Sequence, residues 1–218
     1  MKIKYLAHAS FLIVSDNGTK IITDPYKAGG YSGAIGYAPI NEEADIVLVS
    51  HDHDDHNQVS EVLGSPEVVK GAGSHSVSGV TIKGVNSFHD SSNGKERGSN
   101  TIFVFDVDGL KVCHLGDLGH LLTDNQIKEI GQIDILLIPV GGFFTIDHQQ
   151  ATKVVDQLKP KVVIPMHFKT EKLDFPVKDV EPFLKGKEKV IKTGTSEVEI
   201  TKENINEKEG ILVLEHAR

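Results

Sequence analysis

The sequence predicts a mixed α/β or α+β fold in which two β-sheets pack face to face and the helices lie outside them. Runs that are apolar and rich in β-branched residues are many, whereas amphipathic helical patterns are few. Of the 218 residues, 39% are hydrophobic and 25% are charged, as is typical of a soluble globular protein. This length suits one sizeable core, and we expect a single domain over residues 1–218.

The strand pattern recurs along the whole chain. Strands are predicted at residues 2–7, 10–15, 19–23, 45–50, 80–88, 100–107, 110–115, 134–139, 161–166, 188–192 and 211–215.

Helical periodicity is clearest in residues 148–158, which place Ala151, Val154, Val155 and Leu158 on one face. Asp147 precedes this segment and is expected to be its N-cap. Shorter helices are predicted at residues 57–63, at 124–130, and at 177–185 after Pro176.

Charge and composition exclude several classes of function. The net charge of −8 argues against a surface that binds nucleic acid. The N-terminal residues predict a strand rather than a signal peptide, and no apolar run is long enough to span a bilayer. Cys113 is the only cysteine, so no internal disulfide forms. We therefore expect a cytoplasmic protein that acts on a small molecule and binds neither nucleic acid nor a membrane; a homo-oligomer is left open.

The most informative segment is His51-Asp52-His53-Asp54-Asp55-His56, which directly follows the strand predicted at 45–50. Neutral imidazole nitrogens and carboxylate oxygens are the ligands that zinc, iron and manganese prefer. Ligands at the carboxyl end of a strand match the usual position of sites in open α/β sheets. The alternative, a solvated acidic loop, gives no reason for three histidines within six positions.

The pattern H-x-H-x-D-H resembles the signature of the metallo-β-lactamase superfamily. Four further elements occur in the order of that family, each after a strand-like run: Asp24, His89, Gly116-Asp117 and His167. The resemblance implies a four-layer αββα sandwich. The segments His8-Ala9-Ser10 and Ile164-Pro165-Met166-His167 resemble the ascorbate-6-phosphate-lactonase-like branch.

The resemblance also implies a binuclear metal site. His51, His53 and His89 would hold the first ion, while Asp55, His56 and His167 would hold the second; Asp117 would bridge the two. The cofactors expected are two divalent ions, with zinc preferred and manganese, iron or nickel as alternatives. Asp55 and Asp24 are the carboxylates expected to assist catalysis, Asp55 by orienting a hydroxide and Asp24 by fixing a ligand or the backbone beneath the metals.

These ligands predict a hydrolase that uses a metal-bound hydroxide on a small ester, lactone or phosphodiester. Two alternatives stay open: an iron-dependent redox enzyme on the same scaffold, and a non-catalytic metal-binding protein. Substrate contacts are predicted in segments that adjoin ligands, namely Tyr31 and Tyr37 in loop 27–39, Lys95 and Arg97 in loop 90–99, and Lys169. His8 is left open between a place near the metals and a structural role.

Overall fold

Two β-sheets form the framework of the computed structural model, which describes all 218 residues. The six-stranded sheet has the order β13-β1-β2-β3-β4-β5. Strands β1 to β3 are antiparallel, and β3, β4 and β5 are parallel. Its strands are β1 (Lys2–Ala7), β2 (Ser10–Val14), β3 (Lys20–Thr23), β4 (Glu43–Val49), β5 (Leu63–Lys70) and β13 (Glu197–Glu199).

The eight-stranded sheet has the order β12-β14-β11-β10-β9-β8-β7-β6. Strands β6 to β9 are antiparallel, whereas β9, β10, β11, β14 and β12 run parallel. Its strands are β6 (Gly73–Val77), β7 (Val80–Phe88), β8 (Ser99–Val107), β9 (Leu110–His114), β10 (Ile135–Pro139), β11 (Val162–Met166), β12 (Val190–Lys192) and β14 (Gly210–Val213).

The core follows the two-residue period of the strands. In β4, Ile46 and Leu48 join a large apolar cluster that is shared with the eight-stranded sheet, while Val47 and Val49 join a smaller cluster. Successive side chains of a strand point to opposite faces, so the large cluster lies between the sheets. Loop residues cover the outer face of the six-stranded sheet, among them Tyr26, Ile35, Tyr37, Leu173 and Phe175.

The helices are short and few. They are α1 (Gly30–Gly33), α2 (Asp124–Ile130), α3 (His148–Leu158) and α4 (Glu181–Leu184), with a 3₁₀ turn at Val59–Glu61. The predicted bounds of α2 and α3 are confirmed, and Asp147 caps α3 by accepting the backbone N–H groups of Gln149 and Gln150. None of these helices combines the length and the apolar character that a membrane crossing requires.

The fold class predicted from the sequence is confirmed: both sheets and the sparse helices are present. Three strands were missed, β5, β6 and β13, and the helix predicted at 57–63 is a 3₁₀ turn that ends before β5. The helix predicted at 177–185 is confined to α4, and Pro182 rather than Pro176 lies in its first turn. Side chains on β5 are mostly exposed, and Gly64 and Pro66 interrupt its apolar pattern.

Candidate metal centre

Polar side chains from both sheets converge where their strands end. From the six-stranded sheet come His8 between β1 and β2, Asp24 after β3, and the segment 51–56 after β4. From the eight-stranded sheet come His89 after β7, Asp117 after β9 and His167 after β11. The structure thus brings together all seven side chains that the sequence nominated as metal ligands.

The segment after β4 folds into a tight turn. The backbone N–H groups of His56 and Asn57 both donate to the carbonyl of His53, at 2.9 and 3.0 Å. This turn sends successive side chains in different directions. Asp52 and Asp54 point to solvent, where their side chains are 79% and 62% exposed and contact Lys70 and Lys27.

The first group of donors consists of His51, His53 and His89. Nε2 of His51 lies 3.0 Å from Nδ1 of His53. The ring centroids of the three imidazoles are 4.6, 4.8 and 5.3 Å apart. Their donor atoms all lie within 4.8 Å of one another, close enough to share one ion.

Asp117 connects this group to the second one, which contains Asp55, His56 and His167. Its Oδ2 lies 3.2 Å from Nε2 of His56, 3.2 Å from Nε2 of His89 and 3.3 Å from Nε2 of His167. A carboxylate between histidines of both groups has the placement that a bridging ligand requires.

Close packing at Gly116 fixes the backbone of Asp117. Gly116 has φ +54°, and a Cβ there would lie 2.4 Å from Oδ1 of Asn100 and 2.6 Å from Cβ of Ser50. That Asn100 oxygen also accepts the N–H of Asp117, at 3.0 Å. A side chain at Gly116 would therefore displace Asn100, which lies on β8, and with it the Asp117 carboxylate.

The donor set fits divalent metal ions. Nε2 of His56, Nε2 of His167 and Oδ1 of Asp117 are buried without a hydrogen-bond partner, which is costly for polar atoms. Two ligands bound to one tetrahedral ion at 2.0–2.1 Å are about 3.3 Å apart, and the contacts around Asp117 Oδ2 have this separation. Bound ions would satisfy the unpartnered atoms.

Asp24 lies beneath the ligands and is fully buried. Its carboxylate accepts the backbone N–H and the hydroxyl of Ser50, both at 2.7 Å. It also lies 3.0 Å from Nδ1 of His56 and 2.8 Å from Nε2 of His114. Although burial raises the pKa of this carboxyl, His114 and His56 bring it well below its ordinary value of 3.8. Asp24 therefore fixes the His56 ring with Nε2 turned towards the metal centre.

Burial favours the neutral form of His51 and His89, which is the form that metal ligation requires. Burial and the neighbouring His56 lower the pKa of His51 to about 3. Burial also lowers the pKa of His89. For His56, burial acts in the same direction, but the carboxylates of Asp117, Asp55 and Asp24 outweigh it and raise its pKa well above 6.5. Bound cations would replace the proton that these carboxylates otherwise hold on His56.

A cavity of about 280 Å³ opens onto both donor groups. One side consists of donor side chains and the other of aromatic rings. Nine residues line it: Tyr31, His53, Asp55, His89, Arg97, Asp117, Phe144, His167 and Phe175.

Tyr31 joins the aromatic wall to the donor set. Its hydroxyl donates to Oδ1 of Asp55 at 3.0 Å, and its ring packs edge-on to Phe175 with centroids 5.4 Å apart. Burial and the Asp55 carboxylate raise the pKa of Tyr31 above 10, so the phenol keeps its proton. The backbone of Tyr31 is left-handed, with φ 50°, and its side chain is half-exposed at the rim.

Arg97 provides the cation of the cavity lining. Its guanidinium lies 5.8 Å from the ring centroid of Phe144. Asp90 shapes the loop that carries it, because its carboxylate accepts the backbone N–H groups of Ser92, Gly94, Glu96 and Arg97 at 2.7–3.0 Å. Arg97 is thus presented by a folded loop.

The other predicted substrate contacts lie outside this cavity. Tyr37 is buried, and its hydroxyl pairs with Oγ1 of Thr170 at 2.6 Å. Nζ of Lys169 contacts Asp174 at 3.3 Å and the carbonyl of Phe175 at 3.1 Å. Lys95 is exposed. None of these three residues lines the cavity.

The aromatic wall was missed in the sequence. Phe144 and Phe175 both line the cavity but lie far from every H-x-H-x-D-H residue in the chain. A signal existed for one of them: Phe143-Phe144 is an apolar pair within the otherwise small and polar segment after β10, and such a pair outside a strand often marks a binding surface.

Comparisons with known proteins identify relatives that are named as metal-dependent hydrolases. A model of the β-lactamase superfamily domain matches residues 2–167. The chain is 32% identical over 197 residues to a UPF0173 metal-dependent hydrolase from Thermococcus kodakarensis, covering 78% of this chain and 85% of that protein. It is 34% identical over 196 residues to a UPF0173 metal-dependent hydrolase from Carboxydothermus hydrogenoformans, with the same coverage of both chains.

Among solved structures, the chain is similar to a proposed Zn-dependent hydrolase of the metallo-β-lactamase superfamily from Thermotoga maritima. The sequences are 40% identical, and the TM-score is 0.81 over 99% of this chain and 98% of the other. The similarity therefore extends over the whole chain, including the part beyond residue 167.

Proposed function

The chain belongs to the metallo-β-lactamase superfamily, and we propose that it is a hydrolase of small ester, lactone or phosphodiester substrates that depends on two divalent metal ions. One observation carries this proposal: buried nitrogen and carboxylate donors from both sheets converge, and several have no other partner. The similarity to proteins named metal-dependent hydrolases also supports the proposal of a metal-dependent hydrolase.

His51, His53 and His89 would hold one ion, and Asp55, His56 and His167 the other, with Asp117 shared between them. When bound, such ions lower the pKa of water and polarise a carbonyl or phosphoryl oxygen. We prefer zinc, because the donors are mainly imidazoles with carboxylates.

The protein's own groups would orient the substrate. Asp55 would be a ligand of the second ion, and its Oδ1 accepts the Tyr31 hydroxyl at 3.0 Å. Tyr31, Phe144 and Phe175 offer an apolar wall for the body of the substrate. Arg97 would bind an anionic group, because a guanidinium pairs with carboxylate or phosphate through two parallel hydrogen bonds. We infer a small substrate that combines an apolar portion with a negative charge.

The test begins with protein purified without chelator, for which we expect metal content to approach two ions per chain. A panel of lactones, carboxylic esters and phosphodiesters then identifies the bond that is cleaved. Chelation should abolish turnover, and Zn²⁺ or Mn²⁺ should restore it. A stable content near one ion with full activity would contradict the binuclear proposal, and oxygen-dependent turnover with iron would favour a redox enzyme.

Asp117→Ala and Asp52→Ala form a matched pair for this test. Asp117 lies among donors of both groups, so its loss should reduce metal content as well as turnover. Asp52 is 79% exposed and contacts Lys70, so Asp52→Ala should retain both. Equal losses in the two variants would show that the ligand assignment is wrong.

A further inference from the structure

His8 reaches the metal centre although the H-x-H-x-D-H pattern does not include it. Its side chain is fully buried. The donor atoms of His8, Asp55, His56 and His167 all lie within 4.8 Å of one another, and all four residues are buried. The second donor group therefore contains one more imidazole than the seven nominated ligands supply.

The backbone holds His8 in a rarely occupied conformation. It has φ 57°, which is uncommon for a residue that carries a Cβ. Its carbonyl accepts the N–H of His167 at 2.8 Å and the hydroxyl of Tyr5 at 3.0 Å. His167 itself has φ 52°. Two residues with strained backbones are thus joined by a backbone hydrogen bond, and such strain is concentrated at functional sites.

The ring of His8 is placed as a ligand would be. Its Nε2 lies 3.1 Å from Oδ2 of Asp55, a separation that suits two ligands of one ion. The ring centroid lies 4.2 Å from that of His167 and 5.3 Å from that of His56. These separations resemble the 4.6–5.3 Å found among His51, His53 and His89.

We propose that Nε2 of His8 is a protein ligand of the second metal ion, together with Asp55, His56 and His167. This inference rests on the proposed binding of two ions. It makes the two positions unequal: four buried side chains would hold the second ion besides Asp117, whereas three would hold the first, and one of these, His53, is only half-buried.

The first experiment measures metal binding rather than turnover. Wild type, His8→Ala, His56→Ala and His75→Ala are titrated with Zn²⁺ against a chromogenic chelator, and circular dichroism checks folding. We expect His8→Ala to weaken the binding of one of the two ions by at least about tenfold, and we expect the same of His56→Ala. His75→Ala removes an imidazole on β6, outside the donor set, and should bind like wild type.

A second experiment does not depend on a variant that folds. In a crystal structure of the wild-type protein with zinc, anomalous scattering locates both ions. We expect Nε2 of His8 within about 2.0–2.3 Å of the second ion. A distance beyond 3 Å, with His8 bonded only to the Asp55 carboxylate, would overturn the proposal.

The outcomes separate this inference from the proposed function. Wild-type protein that binds no metal would refute the proposed function. Wild-type protein that binds two ions, with His8→Ala binding both equally well, would refute only the role of His8. Co²⁺ gives a further readout, because the visible spectrum of the second ion should change when its coordination number falls in His8→Ala.

Discussion

At the scale of single residues, Asp24 supports the ligand geometry from beneath the metal centre. It accepts two hydrogen bonds from Ser50, which precedes the ligand turn, and contacts the rings of His56 and His114. One carboxylate therefore fixes the backbone at the end of β4 and the tautomer of a metal ligand. Removing its charge should disturb both without removing any metal ligand.

We expect Asp24→Asn to weaken metal binding about 10- to 100-fold, the usual effect of losing a group that orients a ligand. The amide presents N–H groups to ring nitrogens that donate to the carboxylate, so buried donors lose their acceptor at a cost of about 1–3 kcal/mol. Zinc titration and denaturant unfolding measure the two effects. Asp54→Asn is the control, because Asp54 is exposed. Equal zinc affinity in wild type and Asp24→Asn would refute this role.

The same substitution should change the pH dependence of stability in the metal-free protein. The pKa of Asp24 is well below 3.8 in the folded state, so its stabilising contribution is complete above that ordinary value and is lost as pH falls towards the folded pKa. The free energy of unfolding of Asp24→Asn should therefore decline less steeply than that of wild type below about pH 4.

Residue types and their order were enough to nominate the donors, because metal ligation demands particular atoms. Adjacency in sequence was a poorer guide to the cavity. Tyr37 and Lys169 adjoin signature residues, yet Tyr37 is buried against Thr170 and Lys169 turns towards Asp174. The direction of a side chain depends on backbone conformation and on tertiary partners, and neither can be read from proximity in the chain.

At the scale of elements, one carboxylate holds the loop from Asp90 to Gly98 in its conformation. Asp90 accepts four backbone N–H groups of this loop. Although burial opposes it, these hydrogen bonds, led by that of Arg97, lower the pKa of the Asp90 carboxyl to about 2. The carboxylate is therefore charged at neutral pH and organises the loop that brings Arg97 to the cavity.

Two substitutions should raise KM for an anionic substrate by different routes. Arg97→Ala removes a charge-assisted hydrogen bond worth about 1.5–3 kcal/mol. Asp90→Ala leaves the guanidinium present but releases its loop, so KM should rise less, and amide hydrogen exchange at 92, 94, 96 and 97 should accelerate. Lys169→Ala is the control, since Lys169 lies outside the cavity. Metal content should be unchanged in all three.

A neutral substrate of the same reaction type completes this comparison, because its KM should respond to none of the three substitutions. If Arg97→Ala left KM for the anionic substrate unchanged, the anion site would be excluded while the hydrolase proposal would stand.

Secondary structure was predicted best where burial enforces a pattern. Both β10 and β11 are buried at every position, and α3 carries a regular buried stripe with a capping residue. Strands β5 and β6 were missed because most of their side chains are exposed and they lie at the ends of the two sheets. Backbone pairing rather than side-chain burial makes them strands, and pairing leaves little trace in a sequence.

At the scale of the whole molecule, the metal centre connects the two sheets. His8, Asp24 and residues 51–56 extend from the six-stranded sheet, whereas His89, Asp117 and His167 extend from the eight-stranded one. Without cations, burial and the nearby Asp117 carboxylate act to raise the pKa of Asp55, although His56 and His8 hold it below its ordinary value. Bound ions would neutralise these charges and link ligands from the two halves of the core.

Stripping the metals should therefore lower the thermal stability of the whole protein. An ion that binds only the folded state stabilises it by about 2.7 kcal/mol when its free concentration is 100 times Kd. Each kcal/mol corresponds to about 2–4 °C in Tm for a chain of this size. Differential scanning fluorimetry should show a lower Tm after chelation and recovery with Zn²⁺. Chelation and Zn²⁺ should change the Tm of Asp52→Ala as much as that of wild type, whereas the Tm of Asp117→Ala should change little. An unchanged Tm in wild-type protein shown by elemental analysis to have lost its metal would mean that the ions do not link the two sheets.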